Sequence, residues 1–390
     1  MGHAEARSRT RPVNDRMRRR DFLVQCSKSV LASALLPPDA VPVLTGQASR
    51  ESRATPIPVG KLASELARQI PEWLRQANVP GLSIAVIQDA RLAWRRAFGL
   101  KDASSNRQVD NDTLFEAASM SKPVFAYVVL KLCETGVMDL DTPLTKYVST
   151  RFLEGDPRLD LMTARHVLSH TGGFQNWRSE KSPLAIHFTP GSRYLYSGEG
   201  YNYLQTVVTT LLGQPFERYM QSRLFEPFGM TSSCYVWNDA VGRRMARPHD
   251  PTGRPVDNNK STASSVARYG SAGALLCTPS DYAKFVVGVI DPKPGTAFRL
   301  RPDSVKEMLR PHVKLEEGRY PASWALGWQV FHNLHRDFIY HGGDNAGFHC
   351  SAVASVAGRS GYVAMTNGEN GSSVLTNLLT FDLTQKFLAG

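Results

Sequence analysis

The chain has 390 residues, 42% of them apolar, and a formal net charge of +11 at pH 7. That is enough apolar material for one large or two medium globular domains. No apolar run reaches the roughly 18 residues of a membrane span, and no basic stripe alternates with aromatic residues, so we expect neither a membrane segment in the mature chain nor a nucleic-acid partner.

Residues 1–48 have the pattern of an export signal. Arg19-Arg20 forms a twin-arginine pair, an apolar stretch covers 29–36, and Gly46-Gln47-Ala48 offers small residues for cleavage. Met17 is an alternative start, and a disordered basic tail is the alternative interpretation, because Pro37-Pro38 interrupts the apolar stretch. The pattern predicts export to the periplasm or the extracellular space, with residues 49–390 forming one domain.

The first elements after the signal are a helix and a hairpin. Apolar residues at helical spacing predict an amphipathic helix over 64–76. Two apolar runs predict strands over 82–87 and 92–98, joined by a turn at 88–90. A polar stretch then leads to a second helix, which Pro123 restricts to a start close to Ser119 and Gly136 ends.

Ser119 and Lys122 open that second helix. Residues at i and i+3 lie on the same face of a helix, so the amine can reach the hydroxyl. The unpaired N–H groups and the positive dipole end of a helix favour negative charge that develops near Ser119. A serine becomes nucleophilic when a base takes its proton, and a lysine can be that base. A solvated helix turn is the alternative interpretation of this spacing.

The middle of the chain adds a tyrosine candidate. His166 and His170 lie at i and i+4 but lack the glutamate and the third ligand of a zinc site, so we expect structural histidines there. A loop over 190–200 is rich in Tyr and Gly and precedes a helix that ends at Gly213. A buried tyrosine hydroxyl in this loop is an acid–base candidate, and an ordinary core tyrosine is the alternative.

The last third of the chain returns to strands. Apolar runs predict strands over 325–331, 338–341, 348–356 and 361–365, and a helix follows from residue 372. Strands at both ends with a helical middle predict an α/β (α+β) protein whose antiparallel sheet is flanked by terminal helices. We assign a sheet lobe to about 60–115 and 275–390, and an inserted helical lobe to about 116–274.

His341-Gly342-Gly343-Asp344 ends one of these strands. Its two glycines would let a substrate lie along the backbone, and a plain turn is the alternative. The N–H groups of Ser119 and of the residue after the glycines would then be two donors for one oxyanion.

Cys26 would leave with the signal, and the remaining cysteines (133, 234, 277 and 350) show no metal spacing and are expected to be small buried hydrophobes. We expect no metal and no cofactor.

The order of these motifs resembles the penicillin-recognising serine hydrolases, in particular the class C β-lactamase branch with its carboxylesterases, D-aminopeptidases and D-alanyl-D-alanine carboxypeptidases. The resemblance covers about residue 80 to the C-terminus. It depends on a larger set of segments: Phe115–Lys122, His166–Gly173, Pro190-Gly191, Tyr196, Phe228-Gly229-Met230, Leu326-Gly327-Trp328 and His341-Gly342-Gly343. It implies a β-lactamase/transpeptidase-like fold.

The resemblance also implies roles. Ser119 corresponds to the acylated nucleophile, Lys122 to its proton acceptor and Tyr196 to the base of deacylation. His341, Gly342, Gly343 and Asp344 correspond to the strand that binds substrate, with the Asp344 N–H as the second oxyanion donor.

Two departures from the family pattern affect the expected substrate. Gly198 stands where the family's Tyr-x-Asn motif has an asparagine that holds an acyl side chain, and Glu199 or Asn202 could substitute for it. His341 replaces a lysine that suits a substrate carboxylate, and a histidine is only partly charged. The prediction is therefore a serine hydrolase for a small ester, amide or D-peptide. A true class C β-lactamase is one alternative, and a non-catalytic penicillin-binding or sensor protein is the other. An α/β-hydrolase is not expected, because no serine lies in a G-x-S-x-G pattern.

Overall fold

One antiparallel sheet is the frame of the molecule. The computed structural model describes residues 57–293, 298–315, 321–332 and 337–389, so the predicted export signal at 1–48 lies outside the described residues. Within these ranges nine strands follow the order β3-β2-β1-β11-β10-β9-β8-β7-β6, and every neighbouring pair is antiparallel. The nine strands are β1 Gly81–Gln88, β2 Arg91–Asp102, β3 Arg107–Gln108, β6 Val313–Leu315, β7 Ala322–Trp324, β8 Gln329–His332, β9 Asp337–Asn345, β10 Phe348–Ser355 and β11 Ser360–Thr366. A separate pair joins β4 (Phe115–Glu116) to β5 (Leu276–Cys277).

The helices lie at the two ends of the described chain and in its middle. They are α1 Val59–Ala77, α2 Ser121–Glu134, α3 Ala164–Leu168, α4 Gly198–Leu212, α5 Phe216–Met220, α6 Glu226–Phe228, α7 Asp239–Arg244, α8 Ala263–Gly273, α9 Pro279–Ile290, α10 Pro302–Leu309, α11 Gly371–Thr380 and α12 Asp382–Ala389. None of the helices in the described ranges combines the length and the apolar character that a membrane crossing requires.

Both faces of the sheet are covered. Alternate residues of a strand point to opposite faces, so the Leu82, Ile84 and Val86 side chains of β1 share one face and Ala85 and Ile87 the other. The first face packs against the apolar sides of α1, α11 and α12. The second face packs against the large core that includes α2 and α9. The predicted antiparallel sheet with flanking terminal helices is therefore confirmed.

The predicted hairpin is present, and its turn has a defined geometry. β1 and β2 are joined by Asp89 and Ala90, whose φ angles are +52° and +54°. Two central residues with positive φ make a turn whose twist matches that of the flanking strands.

The second predicted helix begins differently from the expectation. Ala118–Met120 forms a 3₁₀ turn, and the α-helix α2 starts only at Ser121, with Pro123 in its first turn. Most of α2 is buried on all sides, because it crosses the middle of the larger core.

Two predictions for the C-terminal part were wrong. The apolar run 325–331 is not one strand: β7 ends at Trp324, before the run begins, and only residues 329–331 lie in a strand, β8, after a bend at Gly327, whose φ is +83°. A Cβ at this glycine would lie 2.7 Å from the Cβ of Ala126, so close packing on α2 accounts for the bend. The single terminal helix is two helices, α11 and α12, separated at Phe381.

Candidate active site

Ser119 and Lys122 meet at the start of α2. The Lys122 Nζ donates a hydrogen bond of 3.1 Å to Ser119 Oγ and another of 2.6 Å to the carbonyl oxygen of Ala272 in α8. Lys122 is fully buried, whereas Ser119 is partly exposed. Ala118 has a φ of +46°, an uncommon conformation for a residue with a side chain, and it turns the chain sharply just before Ser119. The hydroxyl therefore faces the accessible side, and the amine lies behind it.

Tyr196 joins this pair from the loop before α4. Its hydroxyl shares a hydrogen bond with the Ser119 side chain. The Lys122 Nζ lies 4.9 Å from the centroid of the Tyr196 ring. Burial raises the pKa of Tyr196 well above its ordinary value, and the hydrogen bond with Ser119 lowers it only in part. Tyr196 is therefore a neutral phenol at rest and has a proton to give.

His170 supports Tyr196 from behind. Its Nδ1 accepts a hydrogen bond of 3.0 Å from the Ser197 N–H, and its ring lies 4.2 Å from the Tyr196 ring, centroid to centroid. The Trp324 ring packs on both, at 4.8 Å from His170 and 5.6 Å from Tyr196. Burial, and then the charge of Lys122, lower the pKa of His170 well below its ordinary value. His170 is thus a neutral aromatic support.

His166 also has a local structural role. The Thr163 N–H donates to its Nδ1, at 3.3 Å, in the capping of α3. Among the residues that the structure describes, no group of three or more His, Cys, Asp or Glu side chains could hold a metal ion. The cysteines at 133, 234, 277 and 350 are free thiols, and those at 277 and 350 are buried.

The glycine pair on β9 brings this strand against the serine segment. A Cβ at Gly343 would lie 2.3 Å from the carbonyl oxygen of Ala117 and 2.6 Å from the Sγ of Cys350. The thiol of Cys350 itself donates to the Ala117 carbonyl, at 3.1 Å. Close approach to the chain just before Ser119 therefore requires Gly343, which is a different reason from the open substrate path expected from the sequence. A Cβ at Gly342 would instead lie 2.7 Å from the hydroxyl oxygen of Tyr340.

His341 is buried and uncharged. Its Nδ1 lies 2.6 Å from the carbonyl oxygen of Gly342, which accepts the ring N–H. Burial, followed by the charge of Lys122, lowers the pKa of His341 to about 3. The sequence suggested a partly charged histidine, but in the folded protein His341 is neutral at every pH near 7.

Asp344 is paired with a histidine of the next strand. Its carboxylate lies 2.5 Å from the Nδ1 of His349, directly opposite on β10. Burial lowers the pKa of His349, but the Asp344 carboxylate more than offsets this, and the net pKa is raised above its ordinary value. The Asp344 carboxylate therefore favours the protonated form of His349.

Glu199 and Asn202, the two side chains that could substitute for the missing asparagine, are both buried in α4. Glu199 is buried in an ion pair with Arg178, at 2.7 Å, and it also accepts the Arg178 backbone N–H at 3.0 Å. Asn202 is buried, and within the part of the chain that the structure describes its amide nitrogen and oxygen have no hydrogen-bond partner. At Gly198 the space for a side chain is filled by the indole of Trp177, which lies 2.5 Å from an added Cβ.

Ser119, Lys122 and Tyr196 lie together, as the sequence predicted, but several residues that contact the site residues were not predicted. His170 was expected only as a structural histidine, and Trp177, Trp324 and His349 were not identified as candidates. The His166–Gly173 motif pointed to the loop that carries His170. The aromatic contacts could not be read from spacing, because their partners lie far apart along the chain.

Comparisons with known proteins show which family and which relatives the chain resembles. The family model described as Beta-lactamase matches residues 63–384. Esterase EstB of Burkholderia gladioli is 30% identical over 245 residues, which cover 54% of this chain and 60% of the esterase. The unguisins hydrolase ungD of Aspergillus violaceofuscus is 22% identical over 374 residues, 83% of this chain and 64% of that protein. The chain thus matches less than two thirds of the length of these curated relatives.

Solved structures show the same fold. The D-alanine carboxypeptidase AmpC of Burkholderia cenocepacia superposes with a TM-score of 0.68 at 20% identity, over 83% of this chain and 99% of that one. A class C beta-lactamase superposes with a TM-score of 0.70 at 18% identity, over 83% and 96% of the two chains.

Proposed function

This chain belongs to the Beta-lactamase family, and from that premise we propose that it is a serine hydrolase that cleaves an ester or a small amide through an acyl-enzyme on Ser119. Its β-lactamase/transpeptidase-like fold is the one predicted from the sequence. The observation that carries the proposal is the contact of three groups: the Lys122 amine at 3.1 Å from the Ser119 hydroxyl, which also bonds to the Tyr196 hydroxyl. A nucleophile within hydrogen-bond reach of a base, itself held by a third group, is the usual arrangement for covalent catalysis.

The proposed acylation begins with loss of the Ser119 proton. The amine form of Lys122 takes this proton while Ser119 Oγ attacks the substrate carbonyl carbon. The N–H groups of Ser119 and Asp344 donate to the oxyanion, and the dipole of α2 adds to this stabilisation. The Tyr196 phenol gives its proton to the leaving group and regains one from Lys122. The leaving group departs, and the acyl group stays on Ser119.

Deacylation repeats these steps with water. Water replaces the leaving group, loses a proton to the Lys122–Tyr196 pair and attacks the acyl carbonyl carbon. The bond to Ser119 Oγ breaks, and the proton returns to that oxygen. Ser119, Lys122 and Tyr196 are thus proposed as catalytic residues, and the strand from His341 to Asp344 as the edge against which substrate binds.

The electrostatics of the site favour a neutral substrate. A fixed cation best binds a substrate carboxylate, but His341 is neutral because its pKa is about 3. Arg178 is a cation near α4, but it is paired with Glu199. An ester or small amide without a carboxylate therefore suits this cleft better than a β-lactam or a peptide C-terminus. The similarity to an esterase points the same way.

One assay panel tests the proposal. The purified chain is compared on nitrophenyl esters of short acids, a chromogenic cephalosporin and D-alanyl peptides. We expect the highest kcat/KM on the esters and a loss on the order of 10³ or more in Ser119→Ala. Ser192→Ala, at an exposed serine, is the matched control. Preference for the cephalosporin would instead support a class C β-lactamase. Full activity in Ser119→Ala would refute the assignment, and inactivity of the wild type on all substrates would favour a binding or sensor protein.

Export is a separate proposal. The twin-arginine pattern at Arg19-Arg20 and the small residues at 46–48 support a cleaved signal and a periplasmic or extracellular enzyme. Mass spectrometry of the protein made in a bacterial host tests it. A mature N-terminus near residue 49 is expected in the exported fraction, and replacement of both arginines by lysine should keep the full-length chain inside the cell. An intact N-terminus in the envelope would contradict cleavage.

A further inference from the structure

The indole of Trp177 occupies the space that a side chain at position 198, two residues after Tyr196, would fill. The atoms nearest to a Cβ added at Gly198 are Cη2, Cζ3 and Cζ2 of Trp177, at 2.5, 2.7 and 2.8 Å. Real Cβ atoms do not approach carbon this closely, so the ring and a larger residue at 198 exclude each other. The position next to the catalytic tyrosine therefore has an aromatic surface instead of a polar side chain.

The loop that carries Trp177 is fixed to the start of α4. The Gly198 N–H donates to the side-chain oxygen of Asn176 at 2.8 Å, and the Glu199 N–H donates to the Asn176 carbonyl at 3.0 Å. The Arg178 N–H and guanidinium in turn bind the Glu199 carboxylate. These bonds on both sides of Trp177 hold its backbone, so the indole is a preorganised surface.

Tyr269 extends this surface toward the catalytic lysine. The Trp177 and Tyr269 rings meet edge to face, with centroids 6.2 Å apart and planes at 77°. Tyr269 lies on α8 three residues before Ala272, whose carbonyl accepts the Lys122 ammonium. Residues three apart share a helix face and are separated by about 4.5 Å along its axis. Both residues are partly exposed, and Tyr269 lies within about one helical turn of the residue that contacts Lys122.

We infer that Trp177 and Tyr269 form an aromatic wall that selects esters with an apolar substituent next to the scissile carbonyl. The inference rests on the proposed function and names the substrate class of the same site. An apolar chain gains by leaving water against two aromatic rings, whereas a polar acylamino group finds no amide to bond at position 198. Trp177 and Tyr269 are therefore specificity-determining residues, and they take no part in the proton transfers.

The test measures ratios of kcat/KM. The full chain and its variants are assayed on nitrophenyl acetate, butanoate and hexanoate, and on acetate esters of alcohols of increasing length. In Trp177→Ala we expect the ratio of hexanoate to acetate to fall by about tenfold or more, since each methylene in an apolar pocket carries selectivity of that order. Trp177→Phe should keep much of the ratio. Trp237→Ala, at a partly buried indole that contacts Gly242, is the matched control.

A second variant and a second readout separate the causes of failure. Tyr269→Ala changes a partly exposed side chain of α8, so it tests the wall even if Trp177→Ala does not fold. Labelling of Ser119 by a fluorophosphonate reports the catalytic groups, and we expect equal labelling rates in folded variants. Unchanged ratios in both substrate series for both variants would overturn the inference and leave the proposed function intact. A wild type that hydrolyses no ester would overturn the inference, and one that also hydrolyses neither the cephalosporin nor the D-alanyl peptides would overturn the proposed function as well.

Discussion

Replacing Glu116 by glutamine should stabilise the protein at alkaline pH and have no effect at acid pH. Glu116 is buried three residues before Ser119. Burial raises its pKa from 4.5 to about 7, although the Asn345 side-chain N–H donates to it at 2.5 Å and lowers the pKa in part. The native state therefore holds the proton more tightly than the unfolded chain does. Its contribution to stability is complete below about pH 4.5 and is lost as the pH rises through about 7.

The size of the effect follows from that shift. A pKa change of about 2.5 units corresponds to roughly 3 kcal/mol between the two protonation states. A glutamine is neutral at every pH, and its side-chain oxygen can still accept from Asn345. The free energy of unfolding of Glu116→Gln should thus equal that of the wild type near pH 4.5 and exceed it by up to about 3 kcal/mol at pH 8.

Urea unfolding followed by tryptophan fluorescence measures the difference at several pH values between 5 and 8. The difference between the two proteins isolates Glu116, because other groups titrate in both. Glu180→Gln, at an exposed glutamate, is the control and should show no such trend. A difference between wild type and Glu116→Gln that is the same at every pH would refute the reasoning.

Three further changes test other parts of the site. Tyr196→Phe should lower kcat by about 10² to 10⁴, as loss of a general acid does, and an unchanged kcat would exclude proton transfer by this residue. Gly343→Ala should lower the free energy of unfolding by about 1–3 kcal/mol, because its Cβ meets the Ala117 carbonyl. Gly60→Ala, whose Cβ meets no atom of the described residues within 4 Å, should not lower it, and thermal unfolding measures both variants. His341→Asn should keep the shape of the kcat/KM profile from pH 5 to 9, since the pKa of His341 is about 3, and disappearance of an acid limb in that range would show that His341 titrates there.

The parts of the fold that sequence reasoning predicted correctly are those that short-range patterns determine. The apolar run of β1 and the spacing in α1 depend on neighbours a few residues away, and both elements form as expected. The run 325–331 was mistaken for one strand because all but two of its residues are apolar. Its bend depends on Ala126 of α2 and on the Leu168 carbonyl, which accepts the Gly327 N–H at 3.0 Å. No local pattern reports contacts so distant along the chain.

The same limit explains what could be predicted of the site. Ser119 and Lys122 are one helical turn apart, so their contact follows from spacing, whereas Tyr196 could be added only through the resemblance. The meaning of a glycine in a motif depends on what fills the place of its side chain. At Gly343 that place holds the backbone just before Ser119, so the glycine allows the strand to lie close to the serine segment. At Gly198 the place holds the indole of Trp177. An aromatic ring from another loop therefore occupies the place of the missing asparagine amide. The effect of the glycine at position 198 on the site can be interpreted only together with Trp177.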